Sequence, residues 1–104
     1  MKTSELLHQL AKYTQSANIM MISEESFEIK KLANVYHEPP YTIIPPAIDE
    51  LSSITVQEFV VGLIKIDNTV PFDAEVIADE DAYEDKQDVL SIYESNNIVY
   101  IKIG

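Results

Sequence analysis

The chain has 104 residues, 46% of them apolar, and carries 18 acidic against 7 basic side chains for a net charge of −11. That size suits one domain with one buried core, and the apolar content argues against disorder of the whole. There is no cysteine, so disulfides, thiolate metal sites and cysteine nucleophiles are excluded.

The first predicted element is a helix over residues 4–16. Leu6, Leu10, Tyr13 and Ala17 recur there at helical spacing, with Thr3 or Ser4 available as a cap. This segment lacks the uninterrupted apolar stretch and cleavage site of a signal peptide. No apolar run reaches the roughly 18 residues of a membrane span. A soluble, cytoplasmic chain is the expectation. Ile19-Met20-Met21-Ile22 reads as a short buried strand.

Residues 24–37 carry two patterns. As a helix, Ile29, Leu32, Ala33 and Tyr36 share one face. As a hairpin with 19–22, through Ser23-Glu24-Glu25-Ser26, Phe27 and Ile29 alternate until the pattern slips at Lys31-Leu32. The helix is the expectation and the hairpin its competitor. The segment from His37 to Pro46 contains two proline pairs, which remove backbone donors, so an extended surface connection is expected there instead of a central strand.

Thr55-Val56-Gln57-Glu58 has the capping-box pattern, and Val56, Phe59, Val60, Leu63 and Ile64 repeat on one helical face. A helix over 55–66 follows, despite the cost of Gly62, roughly 1 kcal/mol. Residues 74–78 suggest a short strand, the acidic run passes into a helix near 80–95, and residues 98–103 alternate as a strand with Val99, Ile101 and Ile103 inward. The expected fold class is α+β: a single domain over 1–104, three or four helices against a short mixed or antiparallel sheet that includes the C-terminal strand.

The charge is localised. Residues 67–94 hold ten acids and one lysine, −9 of the net −11, and all seven basic residues of the chain are lysines. On the predicted helix, Asp81, Glu84, Asp85 and Asp88 fall at i, i+3, i+4 and i+7, one stripe of carboxylates. Four like-charge pairs would cost about 1–2 kcal/mol. Such a stripe is either a solvated face or a docking surface for a basic protein, where carboxylates stand in for phosphates. The second reading assigns partner binding to Asp79, Glu80, Asp81, Tyr83, Glu84, Asp85 and Asp88, with Tyr83 as the aromatic anchor. Nucleic acid is not an expected partner, because phosphate binding needs clustered Lys or Arg.

Metal and catalytic chemistry find little footing. A calcium loop starting at Asp79 would have Glu84 where glycine is needed and Leu90 where glutamate is needed. His8 and His37 are isolated, Gly62 and Gly104 are the only glycines, and no nucleophile elbow is present. The expectation is therefore a non-enzyme with no cofactor and no metal site. The expected function is inhibition or neutralisation of a basic protein, as by an immunity protein, a toxin or nuclease inhibitor, or a nucleic-acid mimic. That is an analogy of charge alone. The alternative is a small structural or assembly subunit of a phage or secretion machine. It would associate through apolar edges, or through strand 98–103 if that strand lies at a sheet edge.

Overall fold

The computed structural model of the chain describes residues 1–49, 53–78 and 86–104. In chain order come α1 (Thr3–Leu10), β1 (Asn18–Ser23), β2 (Ile29–Lys31), β3 (Tyr36–Glu38), β4 (Tyr41–Ile44), α2 (Val56–Thr69), β5 (Glu75–Ala78), β6 (Gln87–Ser95) and β7 (Ile98–Ile103). The strands form one mixed sheet in the order β2-β1-β7-β6-β5-β4-β3. β1 and β7 are parallel, as are β4 and β5, and the remaining pairs are antiparallel. The sheet curls into a half-barrel. Its curvature brings the continuation of β2 onto that of β4, where Ala33 N–H donates to Pro45 O at 3.0 Å and Ala47 N–H to Lys31 O at 2.8 Å.

Alternation of side chains across each strand fixes the inner face. Ile19 and Met21 of β1 and Val99, Ile101 and Ile103 of β7 are buried there. Leu6 and Leu10 of α1 and Val56, Phe59, Leu63 and Ile66 of α2 join them in one hydrophobic core. The helices thus close the inner face, and their apolar stripes are its second layer.

α2 begins as its sequence predicts. Glu58 N–H donates to Thr55 Oγ1 at 3.2 Å, and Thr55 N–H donates back to Glu58 Oε1 at 3.3 Å. Gly62 lets this helix approach the chain before β3: a Cβ on it would lie 2.5 Å from Asn34 Oδ1 and 2.9 Å from Val35 Cγ1. α1 is shorter than predicted and borrows its cap. Ser4 N–H donates to Asp73 Oδ1 at 3.0 Å, while Thr3 Oγ1 donates to Ala74 O at 2.9 Å. No helix among the described residues is long and apolar enough to cross a membrane.

The predicted fold class is overturned. Two short helices cover a seven-stranded sheet, so the molecule is mostly β and fits the α+β description only loosely. The predicted helix over 24–37 is instead a turn followed by β2, and then β3, so the competing hairpin is the structure. The predicted helix over 80–95 is strand β6 from Gln87 onward, and its first part lies outside the described residues. Between the proline pairs runs β4, an interior strand with β3 on one side and β5 on the other. The prolines sit at its ends: Pro39-Pro40 in the turn from β3, with a cis bond, and Pro45-Pro46 after Ile44, where a carbonyl suffices for the ladder.

Deleting residues 98–104 should unfold the protein, because it removes an inner strand with three buried side chains together worth roughly 5–8 kcal/mol. Loss of amide dispersion and of a cooperative melt would show it; a truncated chain that still melts cooperatively would contradict it. Gly62→Ala should lower Tm, since overpacking against Val35 (typically about 1–3 kcal/mol) outweighs the gain in helix propensity, about 1 kcal/mol. A raised Tm would mean that the neighbouring chain yields freely.

Candidate functional site

Four neighbouring strands bring their ends to one rim. Ser23, the last residue of β1, pairs with Ile103, near the end of β7, and Ile103 pairs with Val89 near the start of β6. One step on, Gly104 N–H and C=O exchange hydrogen bonds with Asp88, at 3.1 and 3.0 Å. Asp88 in turn pairs with Ile77 of β5, and Gln87 with Ala78. At strand spacings near 4.8 Å, β1 and β5 are about 14 Å apart along this rim.

The rim collects carboxylates from distant parts of the sequence. The turn after β1 carries Glu24, Glu25 and Glu28, and β6 opens with Asp88. Glu24 N–H donates to Ile103 O at 2.9 Å, which ties this turn to the end of β7. Glu24 also pairs with Lys102 Nζ at 3.9 Å. Glu25, Glu28 and Asp88 make no side-chain hydrogen bond or ion pair among the described residues. Asp79, Glu80, Asp81, Tyr83, Glu84 and Asp85 lie outside the described residues; the strand ends on either side of them, Ala78 and Gln87, are paired partners on this same rim. Lys86, the lone lysine of residues 67–94, places its ammonium 4.3 Å from the ring centroid of Tyr41 and donates to its hydroxyl. Gln87 keeps its Oε1 buried with no hydrogen-bond partner among the described residues.

The helical stripe of acids does not survive as drawn. Asp88 is exposed on a strand, so it has no i−3 or i−4 neighbours on a shared helical face, and the pairs with Glu84 and Asp85 lose their geometric basis. Tyr93 stacks on Tyr100 at 5.2 Å on the outer face. It stands five residues along β6 from Asp88, about 17 Å away at strand rise. Sequence reasoning missed Glu24, Glu25 and Glu28. The hairpin reading of 19–33 was the signal for them, because it puts that turn at a strand end.

Four acids away from this rim are engaged in the fold. Both carboxylate oxygens of Glu94 accept from Thr14, at 3.0 Å from its N–H and 3.0 Å from its hydroxyl. Asp73 accepts from the Ser4 hydroxyl and backbone N–H, which together hold its carboxyl below the ordinary aspartate range, with a smaller contribution from Lys2 against the opposing effect of burial. The hydrogen bond from the N-terminal ammonium, 3.0 Å away, holds Glu75 below the ordinary glutamate range, with Lys2 at 3.5 Å adding to it. Glu58 closes the cap of α2.

Comparison with known protein families, with curated proteins and with solved structures finds no match to this chain.

A carboxyl whose folded pKa is lowered stabilises the fold above its unfolded value, and that contribution disappears as pH falls through the folded value. Asp73→Asn should therefore melt below the wild type at neutral pH. The gap should close as pH drops below about 4, the ordinary aspartate value, because the wild-type carboxyl then also becomes neutral. Paired thermal melts of the two proteins from pH 7 to 2 measure this. A gap independent of pH would show that Asp73 holds α1 by shape alone.

Proposed function

We propose that the chain is a non-enzymatic acidic binding protein that neutralises a basic protein by covering its cationic site. A toxin or a nuclease is the partner class that such a surface fits, because a groove built for phosphates is also complementary to fixed carboxylates. The observation that carries the reading is the acidic rim. The sheet places Glu24, Glu25, Glu28 and Asp88 on the same edge as the paired strand ends between which residues 79–85 run. Neighbouring strand ends about 4.8 Å apart lie within the Debye length of about 8–10 Å at physiological salt, so adjacent carboxylates reinforce one another while the two ends of the rim are largely screened from each other.

The field works mainly on encounter. Concentrated charge of one sign raises association rates by 10 to 1000-fold and penalises partners of like sign. Nucleic acid is repelled on the same ground. We place this activity in the cytoplasm, in keeping with a composition that makes no use of disulfides. The assembly-subunit alternative loses the strand it named: β7 lies between β1 and β6, with both edges already paired.

Changing Asp79, Glu80, Asp81, Glu84, Asp85 and Asp88 together to Asn or Gln should leave the fold intact, or raise Tm slightly by relieving repulsion. A basic protein retained by the immobilised wild-type chain at low salt should bind this variant on the order of tenfold more slowly. The difference should shrink at high ionic strength. Equal association rates at low salt would take these carboxylates out of the interface.

A further inference from the structure

Phe27, at the tip of the β1–β2 hairpin, is 72% exposed, the most exposed aromatic side chain among the described residues. Its backbone lies at φ 57, a left-handed conformation that glycine or asparagine adopts readily and a bulky residue rarely does. The turn holds it there: Phe27 N–H donates to Ser23 O at 2.9 Å, and Ser23 N–H donates to Glu28 O at 3.0 Å. The ring belongs neither to the core nor to the residues packed against it. A large apolar side chain therefore occupies a position suited to glycine and gains no packing from its own chain.

Its surroundings say what could supply that packing. Ile29, which pairs with Ile22, is 49% exposed beside it, and Leu90, at the bulge of β6, is 45% exposed. Leu90 and Glu24 flank the end of β7, since a Cβ on Gly104 would lie 2.8 Å from Leu90 Cδ1 and 3.1 Å from Glu24 Oε2. Exposed apolar side chains and glutamates thus share this stretch of rim, where Glu24 is paired with Lys102 and Glu25 and Glu28 border Phe27 in the turn. A second copy of the chain would bring glutamate against glutamate here, and an anionic membrane surface would be repelled. The complementary surface is apolar and bordered by cations.

We infer that Phe27, with the exposed Ile29 two residues on, is the apolar anchor of the acidic rim and enters a pocket bordered by lysine or arginine on the basic partner. This rests on the reading given under Proposed function and adds where the short-range contact is made. Binding hot spots have this form, an aromatic group desolvated at the centre of a polar surround. Carboxylates bring the partner in; the ring holds it.

The test uses Phe27→Gly in the full chain and two hexapeptides of equal charge, one with two leucines between lysine pairs and one with two glycines there. Titrated at low salt into the 15N-labelled protein, the leucine peptide should bind about tenfold more tightly, the value of one buried aliphatic side chain. It should shift the amides of residues 23–29. Phe27→Gly should reduce its affinity to that of the glycine peptide while leaving Tm unchanged or higher, because the left-handed position is relaxed. Equal affinity of the two peptides, or no effect of the substitution on binding, overturns the anchor and leaves the acidic reading standing. Failure of both peptides to bind overturns both. A lower Tm for Phe27→Gly would assign the ring to the fold and likewise overturn its role as an anchor.

Discussion

The insertion of β7 between β1 and β6 is the constraint on which the rest of the molecule depends. β7 runs parallel to the first strand of the chain and antiparallel to its own predecessor, so it joins the two ends of the sequence into one sheet. Its inward Val99, Ile101 and Ile103 meet the side chains of both helices and fix the register, since a slip by one residue would turn all three to solvent. The same pairing sets the position of the rim. Only because Ser23 stands beside Ile103, and Gly104 beside Asp88, do the turn at 24–28 and the opening of β6 become neighbours. The parallel pairing is long-range in sequence, which is why the charge distribution along the chain understates the charge at this edge.

Elements whose signals are local were legible. The capping box at Thr55 and Glu58, the strand at 19–22 and the alternation of 98–103 all depend on residues a few positions apart, and each appears where the sequence puts it. The helix expected over 80–95 is strand β6 from Gln87 onward, and that strand carries a bulge. The register shifts at Leu90, so Val89 and Ile92 both point inward three residues apart. That spacing mimics a helix turn inside an extended strand. The segment 24–37 failed for a related reason. Lys31-Leu32, which breaks alternation, is the place where β2 ends and the chain crosses to meet β4, so the slip marked a boundary. Pro39-Pro40 forms a turn and not extended chain, and the four residues between the proline pairs are enough for an interior strand where a surface connection is expected.

The candidate site was half legible. An excess of acid in residues 67–94 is visible in composition, whereas its arrangement is not: Asp88, which the predicted helix aligns with Asp81, stands on a strand. Phe27 reads as a strand residue in alternation with Ile29. Nothing in its neighbourhood announces a left-handed tip, since neither glycine nor asparagine is there to signal one. What distinguishes it is visible only in space: a ring outside the core, beside carboxylates drawn from another part of the chain.

Two uses of negative charge separate within this small fold. Asp73, Glu75, Glu94 and Glu58 each accept hydrogen bonds that tie α1, the chain start, the Thr14 loop or α2 in place, so their charge serves the fold. Glu25, Glu28 and Asp88 stand at turns and strand ends and serve no such purpose among the described residues. Repulsion at that edge is tolerable because it acts on chain reversals and not across the core: the buried rows of β1, β7 and the helices are apolar throughout, apart from Ser23 and Thr3 at their margins. A sheet that keeps these structural carboxylates bonded can place others at one rim without weakening its interior. At that rim Glu24 is paired with Lys102, and Glu25, Glu28 and Asp88 are the carboxylates that no described partner takes up.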